Sequence, residues 1–265
     1  MSIPIYWADA FEEGPFTGNP AAVCILDGWL EDDLMQAIAA ENGLSETAFL
    51  VPGDVPGDDG WHIRWFTPTA EVALCGHATL ASAAVIVRYL EPGRETLRFH
   101  SRSGTLSVRR EDGRLVLVFP SRPATPGGET RRLTRALGAE PEAVLSADYH
   151  LAVFETEEQI RGLQPDFKAV AELGRTGVIV TAPAAADGLD FVSRFFAPAV
   201  GVDEDPVTGS AHCILIPYWA DRLGRNTLRA RQISARGGAL YCRSLGETVE
   251  IGGRARHYLR GEIDV

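Results

Sequence analysis

Lysine is almost missing from this chain. Of its 25 basic residues, 24 are arginine and one, Lys168, is lysine. A phosphate-binding loop ends in Gly-Lys-Ser/Thr, whereas Lys168 stands in Asp166-Phe167-Lys168-Ala169. A Schiff base would need that same residue, whose setting reads as the exposed face of a helix. Basic charge is short overall: 25 Lys and Arg face 36 Asp and Glu, a formal net of −11. Nucleic-acid binders carry a basic surplus, so no nucleic acid is expected as a partner. The four cysteines, Cys24, Cys75, Cys213 and Cys242, form no C-x-x-C and no zinc-ribbon spacing, and should be reduced. No Gly-x-Gly-x-x-Gly opens a helix after a strand, so no cofactor is expected. The longest stretches without Asp, Glu, Lys or Arg, Val72–Val87 and Pro206–Ala220, are too short and too broken by His or Pro to span a membrane. Met1-Ser2-Ile3-Pro4-Ile5 lacks the basic and apolar regions of a signal peptide, so a soluble cytoplasmic protein is expected.

What is present is a repeat. The 265 residues, 45% hydrophobic, allow one large domain or two moderate ones. Arg64-Trp65-Phe66-Thr67-Pro68 finds an echo in Arg194-Phe195-Phe196-Ala197-Pro198. Each leads through acidic residues to a glycine that opens an uncharged stretch: Cys75-Gly76-His77-Ala78-Thr79 and Thr208-Gly209-Ser210-Ala211-His212. Three extra residues within Gly201–Pro206 account for the growing offset. Upstream, Leu26–Val51 and Gly162–Thr181 both read as turn, amphipathic helix, Gly and strand.

The expected fold is therefore mixed α/β (α+β), with two pseudo-symmetric domains. Each is a sheet or barrel curled around one buried helix, because Ala78–Val87 is apolar on every side and unsuited to a surface. Domain one should cover 1–119, completed by a strand near 256–265, and domain two 131–255. Pro120–Thr130 reads as the linker. Pro217 should end or kink the second central helix, and Arg231–Ser234 reads as a strand. A cleft between such domains is a common ligand site.

The two helix starts carry the first chemical hint. Unpaired N–H groups of a first helical turn bind anions, and glycine lets a ligand approach closely. Such ends would hold a carboxylate, or the enolate formed when a proton leaves the neighbouring carbon. Proton chemistry also needs an acid/base. Glu46, opening an apolar strand in Leu44-Ser45-Glu46-Thr47-Ala48-Phe49, would be partly desolvated there, with its pKa raised. From position alone it is equally an ordinary strand-end carboxylate, His77 a satisfied core histidine, and Asp205 a turn former.

Taken together, Gly18-Asn19-Pro20-Ala21-Ala22-Val23, Ser45-Glu46-Thr47-Ala48-Phe49, Arg64-Trp65-Phe66-Thr67-Pro68, Cys75-Gly76-His77-Ala78-Thr79, Glu204-Asp205-Pro206-Val207-Thr208-Gly209-Ser210-Ala211 and Gln232-Ile233-Ser234-Ala235-Arg236-Gly237-Gly238 resemble the PhzF family. That family comprises the phenazine-biosynthesis isomerase and its relatives, in the diaminopimelate-epimerase-like fold. The resemblance implies a cofactor-independent isomerase that shifts a double bond by proton transfer on a small carboxylic acid. The candidate substrate is trans-2,3-dihydro-3-hydroxyanthranilate or an analogue. It implies Glu46 as acid/base with His77 and Asp205 as its catalytic partners, and Asn19, Gly76, Gly209 and Ser210 as substrate-binding positions. It also implies a homodimer.

Four other readings compete. A cofactor-free epimerase or racemase of the same fold would use a thiol at each helix start, but here only Cys75 is so placed. Cys75 itself reads as a small core residue. A metal site from Cys75, His77, His212 and Cys213 fails on geometry, since helix neighbours point about 100° apart, and no metal is expected. A Ser-His-Asp hydrolase lacks its Gly-x-Ser-x-Gly. A non-catalytic small-carboxylate-binding protein would bind equally well after loss of Glu46.

Overall fold

The computed structural model describes residues 1–53 and 60–265. They divide into two compact units, one of residues 1–118 with 252–265 and one of residues 119–251. The first runs β1 (Ser2–Ala10), β2 (Asn19–Ile25), α1 (Asp32–Asn42), β3 (Glu46–Pro52), β4 (Trp61–Phe66), β5 (Glu71–Val72), α2 (Gly76–Val85), β6 (Thr96–Ser101), β7 (Gly104–Glu111) and β8 (Arg114–Pro120). The second holds β9 (Thr125–Pro126), α3 (Thr130–Leu137), β10 (Ala143–Ser146), β11 (His150–Val153), α4 (Glu157–Gly162), α5 (Phe167–Ala171), β12 (Val178–Pro183), β13 (Phe191–Phe196), α6 (Gly209–Leu223), β14 (Thr227–Gln232), β15 (Gly238–Ser244) and β16 (Thr248–Gly253). The last strand, β17 (Ala255–Asp264), pairs along its length with β1. None of the described helices is long and apolar enough to cross a membrane.

Strand pairing shows the repeat directly. In the first unit β17 is antiparallel to β1, β1 antiparallel to β2, β2 parallel to β3, β3 antiparallel to β4, β4 parallel to β6, and β6 antiparallel to β7. The second unit gives the same sequence of directions from β9 through β10, β11, β12, β13 and β14 to β15. Parallel neighbours need a crossover. Between β4 and β6 that crossover contains α2, and between β13 and β14 it contains α6.

Both central helices are buried. Every residue of α2 from His77 to Val85 is buried, and the helix packs on β1, β2, β3 and β17. A helix covered on all sides requires a sheet that curls around it. Its two hydroxyls are satisfied internally: Thr79 Oγ1 donates to the Cys75 carbonyl at 2.5 Å and Ser82 Oγ to that of Ala78 at 2.7 Å. On the outer face, Met35, Ile38 and Ala39 of α1 pack with Ile3, Cys24 and Phe49. Each fully buried large side chain of this kind contributes about 1.5–3 kcal/mol. In the second unit Leu133, Ile160 and Val170, from α3, α4 and α5, occupy the corresponding layer.

The echoed arginines turn out to be clamps. Arg64 holds Glu71 through two parallel bonds of 2.8 Å, and Arg194 holds Glu204 through bonds of 2.7 and 2.9 Å. The guanidinium also lies over Phe66 in one unit and Phe196 in the other. Arg64 keeps the Glu71 carboxyl below its usual range. Since Glu71 and Glu204 are already at the later offset, the three extra residues precede Glu204. They lie in the turn where Pro198–Val200 forms a single 3-10 turn and Ala197 bridges to Val202.

Pro217 does not end its helix; α6 runs on to Leu223. Proline removes the N–H that would bond the Cys213 carbonyl four residues back. Arg122 supplies the missing donor instead, its backbone N–H reaching that oxygen at 2.9 Å. The segment read as a linker is thus attached to the second unit, where Thr125 and Pro126 also pair with Ser146 and Leu145. The irregular helix is the first one, which closes in a π turn at Ile86–Leu90. The strand expected at Arg231–Ser234 lies earlier, at Thr227–Gln232, following the buried alternation Leu228, Ala230, Gln232. Ser234 instead closes a turn, donating to the Pro206 carbonyl and accepting from the Gly237 N–H.

His212, on α6, is completely buried and its Nδ1 bonds the Thr208 carbonyl at 2.8 Å. Burial disfavours the imidazolium and brings its pKa from 6.5 down to about 4. The unfolded chain binds this proton first on acidification. The stabilisation is therefore complete above pH 6.5 and is lost as the pH falls toward about 4. The difference amounts to about 3 kcal/mol. Denaturant unfolding at neutral and acid pH should show a smaller acid loss, by about that amount, in His212→Asn than in wild type. Equal acid losses in both proteins would contradict this account.

Candidate active site

In the first unit three strand or helix starts converge. Asn19 opens β2, Glu46 opens β3, and Cys75 precedes Gly76 and His77 at the start of α2. The parallel pairing of β2 with β3 sets Glu46 beside Ala21, two residues from Asn19. His77 is the hub: Nε2 lies 3.1 Å from Glu46 Oε2, while Nδ1 lies 3.3 Å from Asn19 Nδ2 and 3.5 Å from Cys75 Sγ. Asn19, Cys75 and His77 are buried, and the Glu46 side chain is 18% exposed. The Glu46 Oε2 and His77 Nε2 atoms are shut off from solvent and have no aligned hydrogen-bond partner, each other included. They are close enough to share a proton once the alignment tightens.

The electrostatics follow from this packing. Burial works against a charged His77, but the Cys75 sulfur and the Glu46 carboxylate outweigh it and raise the imidazole above its ordinary 6.5. Burial, and then Glu46, push the Cys75 thiol above 9.0. Glu46, Cys75 and His77 together offer three donor atoms within 4.8 Å of one another.

Asn19 depends on the residue before it. Gly18 has φ +85°, and a Cβ there would stand 2.4 Å from the Ala10 carbonyl oxygen. Gly18→Ala should cost about 1–3 kcal/mol of stability and displace Asn19 from His77. Unchanged thermal stability and turnover in that variant would contradict this placement.

In the second unit α6 starts at Gly209 behind Thr208, and Ser210 is exposed at the second helical position. Thr208 is a good capping residue, yet its hydroxyl does not cap the helix. It donates to the Asp205 carboxylate and accepts from Gln232 Nε2 at 3.1 Å. The buried Gln232 also takes the Thr208 N–H at 2.9 Å and donates to the Asp205 carbonyl at 2.7 Å. The first-turn N–H groups of α6 are thus left without a side-chain cap, as are those of α2 behind Cys75. Both helix starts have the composition of an anion site.

Of the residues singled out in the sequence, Asn19, Glu46, Gly76 and His77 assemble in the first unit, and Asp205, Gly209 and Ser210 in the second. Asp205 holds the loop before α6. The sequence reading missed three partners. Tyr149 OH lies 3.0 Å from Ser210 Oγ, and burial raises that phenol above 10.0. No periodicity or motif pointed to it. Gln232 stands in a quoted motif without a role, and the favoured reading of Cys75, a small core residue, did not foresee its contact with His77.

The profile of the PhzC–PhzF family, phenazine biosynthesis-like protein, matches residues 8–261. The chain belongs to that family. An uncharacterized isomerase of Pseudomonas aeruginosa is 57% identical to it over 267 residues, with 99% of each chain covered. A PhzF-family crystal structure from Enterococcus faecalis superposes with a TM-score of 0.95 at 44% identity, covering 100% of both chains. A hydroxyproline epimerase from Agrobacterium vitis shares the fold at a TM-score of 0.63 and 11% identity, over 99% of this chain and 92% of its own. The PhzC–PhzF chain is therefore an isomerase with the diaminopimelate-epimerase-like fold.

Proposed function

We propose that this isomerase shifts a double bond in a small carboxylic acid without a cofactor, with Glu46 moving the proton. The observation that supports this best is the 3.1 Å approach of Glu46 Oε2 to His77 Nε2, two partner-poor atoms shut off from solvent beside a helix start. Glu46 takes a proton from the carbon next to the unsaturated system. His77 holds the carboxyl in place and lends or accepts a proton as the double bond moves. Asn19 fixes the imidazole ring, a positioning role. The negative charge that develops on the substrate is met by backbone N–H groups at a helix start, Gly76 with His77 or Gly209 with Ser210. Asp205 acts by holding Thr208 away from the cap position.

The substrate class is trans-2,3-dihydro-3-hydroxyanthranilate or another cyclic β,γ-unsaturated carboxylic acid. Incubating the protein in D2O with a panel of such acids and of α-amino acids, followed by NMR, tests it. Deuterium uptake with migration of the double bond is the expected result. Uptake at the α-carbon of an amino acid with inversion and no migration would instead select the epimerase reading. Four free, buried cysteines support a reducing compartment, the cytoplasm. The homodimer belongs to the same proposal, and a monomer mass by light scattering would remove it.

A further inference from the structure

We infer that Glu46, Cys75 and His77 form a binding site for one thiophilic divalent cation of the zinc class, which blocks the enzyme rather than serving it. The blocking half of this rests on the reading of Glu46 and His77 as the acid/base pair; the binding half does not. A thiolate, an imidazole and a carboxylate are a complete set of zinc ligands, and three such ligands plus one open position make a tetrahedral site. Here the three donor atoms lie within 4.8 Å of one another. Ligands at about 2.0–2.3 Å from zinc stand about 3.5 Å apart. The nearest approaches are to different ring nitrogens of His77, 3.1 Å from Glu46 Oε2 to Nε2 and 3.5 Å from Cys75 Sγ to Nδ1, so the imidazole or the thiol must turn for one ion to take all three.

A second feature points to a ligand independently. His77 is 6% exposed, and its Nε2, buried and without an aligned partner, is aimed at Glu46. Asn19 Nδ2 lies 3.3 Å from the other ring nitrogen, Nδ1. The remaining thiols lack this company. Cys213 Sγ lies 3.8 Å from the Gly209 carbonyl, and the buried Cys24 packs in the apolar layer under α1.

Binding breaks the Cys75 S–H bond. That proton and the one on the His77 nitrogen that turns to the metal both leave to solvent, and the sulfur and nitrogen lone pairs go to the cation. No oxidant or reductant is involved. The cation then occupies the carboxylate and imidazole needed to move the substrate proton.

Cobalt(II), titrated into the full chain after chelator treatment at neutral pH, tests this without any substrate. The expected result is one equivalent bound, with a thiolate-to-cobalt band in the near ultraviolet that disappears in Cys75→Ser and persists in Cys213→Ala. His77→Gln and Glu46→Gln should bind at least about tenfold more weakly. Stoichiometric binding without a thiolate band, a band surviving Cys75→Ser, or no binding at all would overturn the site. Should Cys75→Ser fail to fold, undiminished cobalt affinity in folded His77→Gln would overturn it equally. With an active substrate in hand, zinc should stop turnover reversibly. Cobalt or zinc bound at this band while turnover continues would overturn the blocking role alone.

Discussion

Glu46→Gln is expected to lower kcat by about 10²–10⁴-fold, the usual contribution of a positioned general acid/base, while the affinity for substrate changes little. The substitution keeps the shape of the side chain and its contact with His77 Nε2, at 3.1 Å in the native chain. It removes only the capacity to carry a proton. A fall in kcat with an unchanged Kd is the pattern of an interaction used in the transition state alone. Stopped assays and direct ligand titration on the same preparation separate the two quantities. Wild-type turnover in Glu46→Gln would remove Glu46 from the mechanism, and loss of binding with kcat intact would make it a substrate-holding group.

Ser210→Pro is expected to have the second largest effect, on binding. Ser210 is the second residue of α6, behind a Thr208 whose hydroxyl is turned toward Asp205 and Gln232. Proline is tolerated in a first helical turn but carries no N–H. A hydrogen bond to a charged group contributes about 1.5–3 kcal/mol, so carboxylate affinity should fall about 10–150-fold. Ser210→Ala keeps the N–H and loses only the hydroxyl bonded to Tyr149. It should therefore weaken binding much less. Equal affinity in wild type and a folded Ser210→Pro chain would contradict the helix-start model.

Much of this arrangement was legible in the sequence because it depends on local patterns. An uncharged stretch opened by a glycine identifies a buried helix whose start a ligand can approach, and Gly76 and Gly209 do begin α2 and α6. The echo of Arg64 in Arg194 identified the repeat. Its reason lay out of sight, because the Glu71 and Glu204 partners sit at different distances along the chain from their arginines. That α6 continues past Pro217 was out of sight for a similar reason. Whether a proline ends a helix depends on where the orphaned carbonyl finds a donor, and here Arg122 lies far away in sequence.

Cys75 shows the limit at the site itself. Residues two apart on a helix do not face each other. Cys75, however, stands just outside α2 with φ −143° and ψ 111°, an extended backbone that lets its sulfur reach the His77 ring. Tyr149 reaches Ser210 across 61 residues of sequence, a closure only the folded second unit produces.

The most direct test of Glu46 as the proton carrier is parallel deuterium exchange. Wild type and Glu46→Gln, matched in folded concentration, are incubated in D2O with trans-2,3-dihydro-3-hydroxyanthranilate, or with whichever acid of the panel is turned over, and NMR locates the label. The account predicts deuterium at the carbon that gains a proton when the double bond migrates, formed by wild type and absent with Glu46→Gln. Equal labelling by both proteins would contradict it.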